Sequence, residues 1–274
     1  MAGFATEAAL KTALDAQNIF RESWHKNASG GITSSQLVGW FKHGPRPSAG
    51  ADPATTPGTA YSNTAGGIVF PDTSPLRKYI VGFGAIQNSN QNNPGVVYLW
   101  DRLVGVSGIA MSSTGDKTIN STALTRYTDG VGIEVYLEIT AAGNTTAPIV
   151  SMSSYTNQAG TSGRSGATIT FPSATTSISH LIGPMPLASG DTGVRSIETI
   201  NVATAGGGSG VVNVILVRPL LMLPATLHLP FERISPRPFH GPIRIFDGAT
   251  LMMGSRYQST SDDETQGYIS VVYG

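Results

Sequence analysis

Ten residues near the middle of the chain place the tightest limit on its fold. From Gly130 to Ile139, Val131, Ile133, Val135, Leu137 and Ile139 alternate with Gly132, Glu134, Tyr136 and Glu138. Period two over that length specifies an extended strand with one face toward a core and one toward water. Five buried aliphatic side chains, at about 1.5–3 kcal/mol each, make such a strand a main contributor to the core. Similar strand-forming runs cover Arg77 to Ala85, Val96 to Val106, Ile149 to Thr156, Ala167 to Phe171, Val194 to Val202, Val211 to Leu216, Ile243 to Met253 and Tyr268 to Tyr273. Turn chemistry separates them at Asn88 to Gly95, Ala141 to Asn144, Ala159 to Gly166 and Gly206 to Gly210, the last read as a hairpin loop. No helical pattern alternates with these strands. The expected fold is therefore mainly β: an antiparallel, jelly-roll-like sandwich over residues 76–274.

The N-terminal third reads differently. Residues 5–25 are expected to form a helix, with Thr6 as N-cap and Leu10, Leu14, Phe20 and Trp24 as one apolar stripe. That stripe is the candidate protein–protein contact surface, and a short helical turn is expected at Ser34 to Lys42. Residues 1–43 thus form a helical segment. Residues 44–75 hold Pro45, Pro47, Pro53, Pro57, Pro71 and Pro75 among small polar residues and read as an extended arm or linker.

Composition narrows the function. Charged residues make up 12% of the 274 residues, and 17 Lys and Arg balance 17 Asp and Glu. Soluble domains carry about 25%, and neutrality favours association. Such a surface suits burial against other proteins. It lacks the basic footprint of a nucleic-acid binder. The absence of cysteine removes disulfides, thiolate metal sites and cysteine nucleophiles. Residues 1–20 include Glu7 and Asp15 and lack the apolar core of a signal peptide. Val211 to Leu223 is interrupted by Asn213, Arg218 and Pro219, too broken to span a bilayer. A soluble protein made in the cytoplasm is expected.

The chemistry-bearing residues form no catalytic set. His25, His43, His180, His228 and His240 have neither HxH nor HExxH spacing. Gly206 to Gly210 lacks the GK[ST] ending of a phosphate loop. Gly160 to Gly166 places serines between glycines without the GxSxG elbow. Asp262, Asp263 and Glu264 lack the spacing of a calcium loop. Glu134 and Glu138 lie roughly 13 Å apart along one strand, beyond the roughly 5–9.5 Å of glycosidase carboxylates. They read as polar alternation on a wet face. No catalytic residue, cofactor or metal is expected, and the chain is expected not to be an enzyme.

A set of segments in fixed order carries a resemblance. They are Tyr155 to Thr161, Pro186 to Ser196, Arg218 to Pro224 and Arg244 to Ala249, together with the opening Met1-Ala2-Gly3-Phe4 and its Ala-rich continuation. The set resembles tailed-bacteriophage virion structural proteins encoded among head genes. Within that class, a β-sandwich with a proline-rich arm looks like a capsid decoration, or cement, protein. The resemblance implies a homo-oligomer, with a trimer favoured, on the capsid surface of the virion. Its partner there is the major capsid protein or another virion protein, with no direct nucleic-acid or membrane contact. It also leaves open a tail, neck or vertex component, or a receptor- or carbohydrate-binding module using Trp24, Trp40 and Trp100. The shell protein itself fits less well, because no long helix follows residue 45.

Overall fold

The computed structural model describes residues 6–27, 36–87, 95–143, 145–171, 179–225, 231–234, 243–257 and 264–274. The chain opens with helix α1 (Glu7–Asp15) and strand β1 (Ile19–Asn27), followed by β2 (Leu37–Gly39), a 3-10 turn at Trp40–Lys42, β3 (Pro45–Arg46) and β4 (Thr59–Ala60). The middle contains β5 (Lys78–Gln87), β6 (Gly95–Ala110), β7 (Gly115–Thr118), β8 (Glu134–Ala141) and β9 (Ile149–Asn157). Next come β10 (Ile169–Thr170), β11 (Leu181–Ile182), β12 (Val194–Thr204) and β13 (Val211–Ala225). The last strands are β14 (Phe231–Ile234), β15 (Ile243–Ile245), β16 (Leu251–Tyr257) and β17 (Glu264–Tyr273).

These strands form three antiparallel sheets. A seven-stranded sheet has the order β11-β8-β13-β6-β16-β2, with β4 on the flank of β6. A six-stranded sheet runs β14-β5-β17-β1-β3, with β15 also on β5, and a four-stranded sheet runs β10-β9-β12-β7. The long strands β6 and β13 join the assembly. On one face of the seven-stranded sheet, Leu103, Val106, Leu137 and Val214 pack against Val150, Tyr155 and Ile197 of the four-stranded sheet. Farther along that face, Val97, Leu99, Leu251 and Met253 pack against Phe83, Ile269 and Val271 of the six-stranded sheet. The opposite face is covered by Phe41 and Tyr61 against Trp100, Ile215 and Met252. The molecule is a β-sandwich in which one broad sheet serves two smaller ones.

The helix is shorter than expected. Thr6 does cap it, its Oγ1 accepting from the Ala9 amide at 3.1 Å, but it ends at Asp15. Gln17 takes φ 57°, and the chain turns into β1. Phe20 and Trp24 therefore lie on a strand paired with β17, Phe20 opposite Val271 and Trp24 opposite Gly267. Trp24 needs a glycine opposite it, because a Cβ at Gly267 would stand 2.7 Å from the indole Cζ2. That long-range fit overrides the local helical spacing. The expected turn at Ser34 to Lys42 is also corrected: strand β2 precedes the 3-10 turn, and residues 34–35 lie outside the described residues.

The strands also depart from the local sequence pattern. The Gly130 to Ile139 strand begins only at Glu134, since Gly130 and Gly132 take φ 71° and 66° and make a turn. Gly206 to Gly210 joins β12 to β13 across two different sheets, so it is not a hairpin loop. β13 continues past Leu216 to Ala225 despite Pro219 and Pro224, and its register with β6 slips between Pro219 and Leu221. A bulge is where a central strand tolerates proline. Residues 44–75 are mostly irregular, yet Tyr61, Ile68 and Phe70 are buried in the main cores.

Truncation of residues 1–43 removes β1 from β17 and β2 from β16. We expect the shortened chain to lose cooperative thermal unfolding by circular dichroism. A native-like melt would contradict this account of the N-terminal strands.

Candidate functional site

The four residues expected to form one contact stripe are divided between two places. Leu10 and Ala13 are buried on Val272, with Leu14, Tyr79 and Val81 alongside. Phe20 stacks on Tyr273 with centroids 4.8 Å apart, and Trp24, only 2% exposed, lies over Phe83 at 6.3 Å. The helix and strand geometries send the two pairs to separate packing environments. They share no single helical stripe.

Among the described residues, a dense polar constellation lies inside the sheets. Adjacent residues Asp101 and Arg102 of β6 point to opposite faces, as strand geometry requires. Arg102 is fully buried and binds Glu138 through both terminal nitrogens, each at 2.9 Å. Its Nη2 also donates to the Tyr61 hydroxyl at 3.2 Å, and its guanidinium lies 4.2 Å from the Phe41 ring centroid. Asn213 donates to Glu138 at 3.1 Å and to Asp52 at 2.8 Å, and Asp52 pairs with Lys42. On the other face, Arg126 binds Asp101 at 2.8 and 3.0 Å and donates to the Tyr61 carbonyl at 2.8 Å. Tyr61 therefore touches both ion pairs.

Environment separates the two carboxylates. Burial opposes ionisation of Glu138, but Arg102 and Asn213 outweigh it and hold the carboxyl below its usual range. Burial dominates at Asp101 and raises its pKa against the pull of Arg126 and the Thr250 amide. The reading of Glu138 as part of a wet face is corrected: β11 and the segment carrying Phe41 and Tyr61 cover it. A sequence signal was present in Asp101, Arg102 and Asn213, polar residues inside otherwise apolar strand runs. Such residues are buried only with partners.

A second cluster joins two of the segments that carry the resemblance. Asp191 accepts from the Tyr155 hydroxyl at 2.5 Å, Arg164 Nε at 2.9 Å and Asn157 Nδ2 at 2.8 Å. The Tyr155 hydroxyl, then Arg164 and Asn157, hold the Asp191 carboxyl at about 2. Asn157 Oδ1 in turn accepts from the Ala159 and Thr161 amides at 3.0 and 2.9 Å. The cluster fixes loops and leaves Asp191 ionised; within the Gly160 to Gly166 loop it uses the Arg164 side chain and the Thr161 amide.

Two buried lysines tie irregular backbone together. Lys26 Nζ donates to the carbonyls of His43 at 2.6 Å, Pro47 at 2.7 Å and Gly66 at 3.4 Å. Burial lowers its pKa to about 8. Lys78 Nζ meets Asp247 at 2.9 Å and the Pro71 carbonyl at 2.8 Å.

The three described histidines do not converge. His25 Nε2 lies 2.5 Å from Glu264 Oε1 on the sheet surface, His43 packs edge-on to Trp40, and His180 is buried on the seven-stranded sheet. His228, His240, Asp262 and Asp263 lie outside the described residues. Among the described residues, no group of three or more His, Asp or Glu is placed to hold a metal, and no helix is long and apolar enough to cross a membrane.

No family model matches the chain, and no curated protein matches it. Among solved structures, it is similar to the VP2 subviral particle of infectious bursal disease virus, with 9% identity, TM-score 0.20, and coverage of 93% of this chain and 80% of that one. The Gt strain structure of the same virus matches with 9% identity and TM-score 0.19, over 93% of this chain and 80% of that one. T=1 particles derived from it match with 8% identity and TM-score 0.21, over 93% and 77%.

Arg102→Met leaves Glu138 charged and unpaired and should cost about 3–5 kcal/mol in urea unfolding. The double change Arg102→Met with Glu138→Met should recover most of that loss. Acid sensitivity tests His180 separately. Burial, then Arg256, lowers its pKa from 6.5 to about 4. Between those values the unfolded chain binds a proton that the folded chain refuses, so stability present above pH 6.5 is lost as pH falls toward 4. His180→Gln should flatten the urea midpoint over that window, whereas an unchanged pH slope would contradict the assignment.

Proposed function

We propose that this protein is a non-enzymatic structural component of a virion, and within that class a capsid decoration protein that bridges subunits of a phage head. The observation that carries the reading is the use made of its buried charges. Arg102, Arg126, Glu138, Asp101, Lys26 and Lys78 each join segments distant in sequence. They reinforce a β-rich body instead of meeting in a reaction site. The low charge density and zero net charge support a surface made for association, and the resemblance to phage head proteins points the same way. The proposed partners are further copies of this chain, as a trimer, and the major capsid protein, on the capsid surface. A bridge of this kind adds binding energy to the assembled shell alone, so stability rises by mass action and sums over the lattice.

Particles assembled without the protein are expected to release DNA at a lower temperature than complete ones, measured by dye accessibility during heating. Restoring the purified protein should restore the release temperature. Equal robustness with failed attachment to cells would replace the decoration role with a tail, neck or vertex role.

A further inference from the structure

The face of the seven-stranded sheet that carries Arg102 also holds a groove of about 440 Å³, within the roughly 300–1,000 Å³ typical of small-molecule sites. Its floor is aromatic. Tyr98 lies parallel to Trp100, with centroids 5.2 Å apart and planes inclined by 6°, and Tyr136 meets Trp100 edge-on at 5.9 Å. The indole occupies this position because residue 254 is glycine: a Cβ there would stand 2.3 Å from Trp100 Cζ3. Trp100 is buried, whereas Tyr98 is only half-buried. With one face of Tyr98 on the indole, the opposite face is the one available to the groove. The wall at Pro219 to Met222 coincides with the bulge in β13. Bulges re-aim side chains beside binding sites.

Two opposite charges stand in the same groove. Glu134 accepts from the Tyr136 hydroxyl through Oε2 at 2.9 Å, and Oε1 has no partner among the described residues. Arg256 is exposed on β16, and neither residue enters a salt bridge among the described residues. A carboxylate only accepts hydrogen bonds and a guanidinium only donates them. The matching ligand offers hydroxyls that do both, together with a flat apolar face. An anion would meet Glu134, and a cation would meet Arg256. A proline-rich peptide, the other common guest of aromatic grooves, lacks backbone donors at its prolines for Glu134.

We propose that this groove binds an uncharged saccharide. A pyranose ring lies with its C–H face on Tyr98, donates a hydroxyl hydrogen to Glu134 Oε1 and accepts from Arg256. The inference is independent of the shell-bridging role, because the groove is defined within one chain.

The full-length protein is titrated with neutral hexose and N-acetylhexosamine tetrasaccharides, with binding read by calorimetry and by tryptophan fluorescence. At least one is expected to bind saturably. Tyr98→Ala should weaken it about tenfold or more, equivalent to about 1.4 kcal/mol. Glu134→Gln should weaken it several-fold while leaving the unfolding transition unchanged, and this variant decides the matter if Tyr98→Ala does not fold. The proposal falls if no tetrasaccharide saturates, if affinity survives Glu134→Gln, or if a proline-rich decapeptide binds where the saccharides do not.

Discussion

Two neighbouring residues of β6 carry opposite charges through opposite faces of one sheet, and much of the molecule is arranged to neutralise them. Arg102 requires Glu138 from β8, while Asp101 requires Arg126 from the loop that precedes β8. Tyr61 must then lie close enough to serve both, through its hydroxyl on one side and its carbonyl on the other. A buried charge without a partner costs several kcal/mol, comparable with the net stability of a domain. Slipping β6 by one residue would present each charge to the wrong face, so the pairs favour a single register as well as contributing contacts.

The irregular segments follow the same logic with different chemistry. Backbone between β2 and β5 has few ladder partners, yet its carbonyls still require donors when buried. An ammonium supplies three donors from one atom. Lys26 uses them on His43, Pro47 and Gly66, and Lys78 directs its own toward Phe70 and Pro71 as well as Asp247. The prolines that keep this stretch from forming regular sheet also leave its carbonyls available for capture by these two side chains.

The legible part of the fold was the part governed by local pattern. Alternation identified β8 and its core-facing Val135, Leu137 and Ile139, and Thr6 marked the start of α1. Local pattern misleads where a distant partner decides the outcome. Phe20 and Trp24 have near-helical spacing with Leu10 and Leu14, but Gly267 offers the indole a place in a sheet. Glu138 has the spacing of a solvent-facing residue, but Arg102, 36 positions away, brings it inside. The groove was less legible still. Tyr98, Trp100, Glu134, Tyr136 and Arg256 come from three strands, and one sequence does not reveal their adjacency.

The position of β17 has a consequence for synthesis on the ribosome. In the six-stranded sheet, β17 lies between β5 and β1 and pairs with both. A nascent chain that has delivered everything through β16 therefore still holds two strands with open edges and Trp24 without its enclosing neighbour. The four-stranded sheet and its share of the seven-stranded sheet can consolidate earlier, since their strands β6 to β13 form one continuous stretch of chain. Closure of the six-stranded sheet waits for β17 to leave the exit tunnel. Until then the nascent chain presents unpaired edges, a hazard among crowded copies, and interfaces built on that sheet become available only after translation has delivered β17.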